Sequence, residues 1–164
     1  MEISFKSISL LSAVVITGLS AGFFYAWSVS VIPGTKRLAD LTYLESMQSI
    51  NRAILNPAFF VVFFGSMILL WLVTYQSYSA NKTMFIFMLI AAITYTVGTF
   101  GVTGMGNVPL NELLDGKNLN ELSMEKLADF RQFYESKWNR LHTVRTVFSL
   151  ISFIAVVIGM YIRR

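Results

Sequence analysis

Read for its apolar and polar positions, the chain falls into three long stretches free of Asp, Glu, Lys and Arg, at 7–35, 53–81 and 83–111, and a shorter fourth at 146–162. The first three exceed the roughly 20 residues that a helix needs to cross a bilayer, and the fourth is short but adequate. The expected fold is therefore all-α: a four-helix transmembrane bundle with spans at about 8–32, 57–78, 84–102 and 142–162, in a single integral membrane domain over 1–164. The first stretch is too long for the apolar segment of a secretory signal and lacks a clear cleavage site, so it reads as a retained anchor.

The connections carry their own signals. Between the first two spans, Leu41, Leu44, Met47, Gln48, Asn51, Ile54 and Leu55 recur at helical spacing, which predicts a short amphipathic helix at the membrane interface with Arg52 as its charged contact. Asn56 and Pro57 suit the cap and first position of the second span. The turn at 79–83 is short, so spans two and three should be antiparallel neighbours. Span three meets Gly101, Gly104, Gly106 and Pro109, and the helix is expected to dissolve there, leaving unwound backbone buried in protein or lining a wet cavity. Ser123 can cap a long fourth helix that starts outside the bilayer. Within the first span, Gly18 and Gly22 form a small-xxx-small pattern, which favours close packing inside the bundle over a homo-oligomer contact.

That fourth helix breaks the apolar pattern. Arg131, Glu135, Trp138, Asn139, His142, Arg145 and Thr146 share one helical face and lead straight into the last charge-free stretch. A polar stripe entering a membrane must find partners. The amphipathic helix, the Gly101 to Glu112 link and the start of helix four should gather at the same end of the bundle, which makes that end the candidate site.

Composition narrows the chemistry. Of 164 residues, 55% are apolar and 13% charged, and mean hydropathy is +0.60, which is membrane-protein composition. The absence of cysteine excludes disulfides, thiolate catalysis, iron–sulfur clusters and Cys-ligated zinc. A net charge of +4, scattered along the chain, suits lipid head groups and no nucleic acid. Lys6, Lys82, Arg163 and Arg164 flank the spans on the side of the termini with only Glu2 against them, so the positive-inside rule puts the termini in the cytoplasm of a cell (plasma) membrane.

His142 is the only histidine. Three roles are open to it: a satisfied polar group in the packing, a general base or acid, or a single ligand to haem or metal. No E-x-x-H or H-E-x-x-H spacing supports a metal site, and no cofactor is expected. Arg131 and Arg145 are candidates to hold an anionic oxygen, unless Glu112 and Glu135 pair with them. Trp138 and Tyr25 can flank a flat ligand, or serve as interfacial anchors.

The phrases Gly22-Phe-Phe-Tyr-Ala-Trp27, Met47-Gln-Ser-Ile-Asn-Arg52 with Asn56-Pro57, Gly106-Asn-Val-Pro-Leu-Asn111 and Trp138-Asn-Arg-Leu-His-Thr-Val-Arg145 resemble, in order, the anthrone oxygenase-like family of small four-helix membrane proteins. The resemblance covers nearly the whole chain. It implies a monooxygenase that oxidises a phenolic or polycyclic aromatic substrate with dioxygen and no standard cofactor. Carried onto these residues, His142, Asn111 and Arg145 are the catalytic candidates, and Tyr25, Asn107, Glu112, Glu135, Trp138 and Asn139 the substrate-binding ones. The alternative is a membrane protein without catalysis that holds a lipid, quinone, haem or partner in the same cavity.

Overall fold

The computed structural model describes residues 4–162. It contains α1 (Phe5–Thr35), α2 (Asp40–Ala53), α3 (Pro57–Ser77), α4 (Lys82–Asp115) and α5 (Met124–Ile162), of which all but α2 are long and apolar enough to cross a membrane. The four spans form a ring in the order α1, α3, α4, α5, with α5 packed along both α4 and α1. Large apolar side chains such as Leu11, Leu19, Ile68, Val97 and Ile154 stay exposed around this ring, as a lipid-facing exterior requires. The protein is an integral membrane four-helix bundle with α2 at the interface between the first two spans. Glu2, Arg163 and Arg164, which entered the charge argument, lie outside the described residues.

Local chemistry starts the helices where the sequence suggests. Asn56 caps α3 by accepting from Phe59 N at 3.0 Å, with Pro57 behind it, and Asn81 caps α4 by accepting from Met84 N at 3.0 Å. Ser123 accepts from Lys126 N at the start of α5.

Two apolar cores stack along the bundle. The first, around Leu10, Ala13, Leu70, Met88, Ala92, Tyr95 and Val156, joins the four spans. The second gathers Tyr43, Leu44 and Met47 of α2 with Leu114, Tyr134 and Trp138, and packs α2 against the upper half of α5. Arg131 fastens this second core: it donates to Leu38 O (2.6 Å), Asp40 Oδ1 (2.9 Å), Lys36 O (2.9 Å) and Glu135 Oε2 (3.0 Å), and lies over the Tyr43 ring. Burial, with the Glu135 carboxylate behind it, pushes the Tyr43 phenol above its ordinary range, so the ring stays neutral. Gln48 donates to Leu114 O (2.9 Å) and Lys117 O (3.2 Å), which satisfies carbonyls at the end of α4.

Two expectations need correction. The first span does not end at about residue 32, ahead of Pro33 and Gly34, and the glycines of 101–106 with Pro109 do not unwind the third. Both helices run on through π-helical turns, Trp27–Val31 in α1 and Tyr95–Gly101 and Thr103–Asn107 in α4. In each helix one of these turns, Trp27–Val31 or Thr103–Asn107, stands just ahead of the proline, with Ile32 N bonding to Trp27 O and Val108 N to Thr103 O. The five-residue bond spacing makes room for a ring that cannot donate, and in an apolar medium keeping most backbone bonds outweighs the cost of glycine. Thr35 Oγ1 donates to Val31 O (2.9 Å) and Thr103 Oγ1 to Thr99 O (2.7 Å), which occupies further carbonyls.

Gly18 uses its missing side chain inside the chain: a Cβ there would stand 3.0 Å from Phe153 of α5, so packing within the bundle accounts for it. Gly98 is tighter, since its Cβ would lie 2.0 Å from the Phe148 ring. Gly98→Ala is expected to destabilise by about 1–3 kcal/mol through overpacking. Gly104→Ala, with nothing within 4 Å, should be neutral or stabilising. Thermal unfolding of both variants in detergent checks this pair. Arg131→Ala, which abandons two carboxylates and two carbonyls, should cost roughly 2–4 kcal/mol by the same assay.

Candidate functional site

The two cores meet around a cavity of about 450 Å³, within the range of small-molecule sites. Its walls are mainly aromatic: Phe23, Phe24 and Trp27 from α1, Phe59 from α3 and Trp138 from α5. Ile50, Asn51, Ile54 and Leu55 at the end of α2 form one side of the mouth, and Asn111, Glu112 and Asp115 of α4 the other. Arg52 and Asp115 bridge these two sides with an ion pair of 2.6 Å. Polar groups sit deep, namely Thr103, Asn107, His142 and Arg145.

The imidazole of His142 is 1% exposed and stacks on the Trp138 indole, with centroids 5.1 Å apart and planes 9° from parallel. Arg145 Nη2 lies 3.1 Å from His142 Nδ1. A guanidinium only donates, so Nδ1 is the acceptor and the neutral ring carries its proton on Nε2. Nε2 lies 3.2 Å from Phe24 O, which only accepts, and within reach of Ser28 Oγ (3.0 Å) and Thr146 Oγ1 (3.3 Å). The two contacts agree on one tautomer.

Arg145 is 7% exposed, and no carboxylate among the described residues pairs with it. Its guanidinium rests instead between the Phe24 and Trp138 rings, 5.1 and 5.2 Å from their centroids, and donates to Thr103 Oγ1 at 3.4 Å. Arg145 Nε and Asn107 Oδ1 are buried without partners, although Asn107 Nδ2 donates to Trp138 O at 3.3 Å. A cation with spare donors, set among π faces, is suited to receive an oxygen carrying negative charge.

Of the residues singled out by sequence, Asn107, Asn111, Glu112, Trp138, His142 and Arg145 line this one cavity. Tyr25, Glu135 and Asn139 do not. Tyr25 is 53% exposed and points away, one helical step out of phase with buried Phe24. Glu135 is taken by Arg131, and Arg131 by the α2 connection, so neither faces a ligand. Asn139, on the polar face expected from the sequence, does not line the cavity. Sequence reasoning missed Phe24 and Thr103, and gave Trp27 and Ser28 no place in the site. The signal lay in the small and polar positions of α1, since Ser9, Ala13, Thr17 and Ser20 mark the buried face that Phe24 and Ser28 continue.

Among the described residues, no group of three or more His, Asp or Glu side chains is placed to hold a metal ion. Both His142 nitrogens are engaged, so the ring offers no free lone pair to a haem iron or metal in this arrangement.

No curated protein and no solved structure matches the chain. A family model described as anthrone oxygenase matches residues 58–155, well over half of the sequence and including α3, α4 and most of α5. With its four membrane-spanning helices and the ordered motifs already quoted, the chain belongs to the anthrone oxygenase family of small multi-pass membrane proteins.

Proposed function

We propose that the protein is a membrane-embedded monooxygenase that oxidises an anthrone-like phenolic tricycle with dioxygen, using its own side chains in place of a cofactor. The observation that carries this reading is the pairing of a carboxylate-free Arg145 with a neutral His142 in an aromatic-walled cavity. A flat polycycle can lie against Trp138, Trp27 and Phe24, with a ring oxygen at the guanidinium.

In this scheme the substrate oxygen draws Arg145 away from Nδ1 and frees the imidazole lone pair. Nδ1 then takes a proton from the acidic ring CH2, and the resulting carbanion is held as its oxyanion by Arg145 and the Asn111 amide. Dioxygen accepts electrons from this anion and forms a carbon–oxygen bond. The peroxide anion recovers the proton from the imidazolium, and loss of water from the hydroperoxide leaves a new carbonyl. One oxygen atom ends in the quinone and the other in water, which balances the conversion of CH2 and O2 into C=O and H2O.

The engaged imidazole also favours a second reading, a protein that holds a small aromatic or lipid-like molecule such as a quinone without transforming it. Aerobic turnover of 1,8-dihydroxyanthrone, measured above its spontaneous oxidation, separates the two. On the oxygenase reading, His142→Ala abolishes enzymatic turnover in a folded protein, and Arg145→Gln lowers kcat/KM by about 100-fold or more. Wild-type protein that binds the anthrone without accelerating its oxidation would fit the second reading.

We also infer that Lys82 and both termini face the cytoplasm of the plasma membrane, which sets the cavity toward the opposite face. Because the chain lacks cysteine, Lys82→Cys supplies a unique thiol. In intact cells it should resist an impermeant maleimide and react only after permeabilisation.

A further inference from the structure

One chain of hydrogen bonds leads from the interfacial helix to the site. Asn51 Nδ2 donates to Tyr134 Oη at 3.0 Å, Tyr134 Oη donates to Asn111 Oδ1 at 3.1 Å, and Trp138 Nε1 donates to the same Oδ1 at 2.8 Å. A single group fixes every direction in it. An indole N–H can only donate, so Asn111 must present its oxygen; the Tyr134 hydroxyl then spends its proton on that oxygen and can only accept from Asn51. Tyr134 is fully buried in the second core, and Asn51 lines the cavity from α2. The indole held by Asn111 is the plane on which the His142 ring lies, and one of the two rings between which Arg145 rests.

We propose that Tyr134, with Asn51 ahead of it, is a positioning residue: through Asn111 it sets the tilt of Trp138, and so the orientation of the His142 imidazole. Docking of α2 is thereby transmitted to the ring that faces the ligand. Hydrogen bonds in such a chain polarise one another, so loss of either outer member weakens the rest. A residue that merely filled the second core would affect stability and leave the imidazole where it is.

The single histidine makes this testable without a ligand, because selective 15N-histidine labelling gives one imidazole spin system, displaced by the ring current of the stacked indole. In detergent-solubilised full-length protein, Tyr134→Phe and Asn51→Ala should move the His142 ring resonances in the same direction. The double variant should move them no further than the larger single change. Tyr95→Phe, which removes a buried hydroxyl bonded to Ser20 and Phe63 O in the other core, should leave them in place. If Tyr134→Phe does not fold, Asn51→Ala at its half-buried position decides alone. Resonances that stay put in the folded relay variants, or that move as much in Tyr95→Phe, overturn the proposal.

The kinetic arm alone rests on the oxygenase reading. With 1,8-dihydroxyanthrone, Tyr134→Phe should lower kcat by up to about 100-fold with little change in KM, and unchanged turnover counts against the relay. If wild-type protein shows no turnover, the oxygenase reading fails and the imidazole resonances still decide whether Tyr134 positions the ring.

Discussion

A guanidinium placed between spans of a membrane protein has to be accommodated by whatever surrounds it, and most of the upper bundle is arranged around that demand on Arg145. Leaving such a charge uncompensated costs several kcal/mol in an apolar setting. No acid answers it among the described residues. Two π faces, one imidazole nitrogen and one threonine hydroxyl do so instead, and they come from α1, α4 and α5. Such a shell offsets the charge while leaving donor capacity on the guanidinium, which a carboxylate would have consumed. The neutral, single-tautomer imidazole follows from the same arrangement, since Nδ1 must accept if Arg145 is to donate.

The two cores divide the labour. The lower one, built from Leu, Met, Ala and Val with Tyr95, makes contacts that any bundle of this kind needs. The upper one is held by directional polar contacts, the Arg131 fork, the Gln48 bonds and the Asn111 junction, and it turns an amphipathic segment into one wall of a cavity. α5 runs through both, so the position of His142 and Arg145 is fixed at once by apolar packing below and by polar anchoring above.

Much of this was legible in the sequence because membranes make the rules simple. Charge-free length gave the spans, and Asn56 with Pro57 marked a helix start that the structure repeats. The spacing of Trp138, His142 and Arg145 put them on one face, and the structure turns that face inward. What was not legible depended on phase. Tyr25 and Phe24 are chemically similar neighbours, and only the small polar residues a turn or two before them say which one faces inside. Glycine and proline at 101–109 suggested a break, because the rule for breakers is tuned to water, where a freed carbonyl is cheap. Inside a bilayer the chain keeps its helix and shifts the bonding pattern instead. Partner choice was only half visible: Glu135 stands four residues after Arg131 on the same helix and pairs with it, whereas nothing local says that Asp40 and the carbonyls of Lys36 and Leu38 complete that fork, or that no acid among the described residues reaches Arg145.

The π turns of α1 and α4 carry a consequence for how such a site can change over evolutionary time. Each amounts to extra length added to a helix, and two of them, Trp27–Val31 and Thr103–Asn107, lie at the level of the cavity just upstream of a proline. Removing one residue from Thr103–Asn107 would turn everything beyond it by about 100°, carrying Asn111 and Glu112 away from the cavity while Lys82–Thr94 kept its packing. The lining of this cavity is thus open to revision by insertion and deletion as well as by substitution. Single-residue length variation in the upper parts of two helices can re-aim a whole wall, while the membrane-spanning frame below keeps its register.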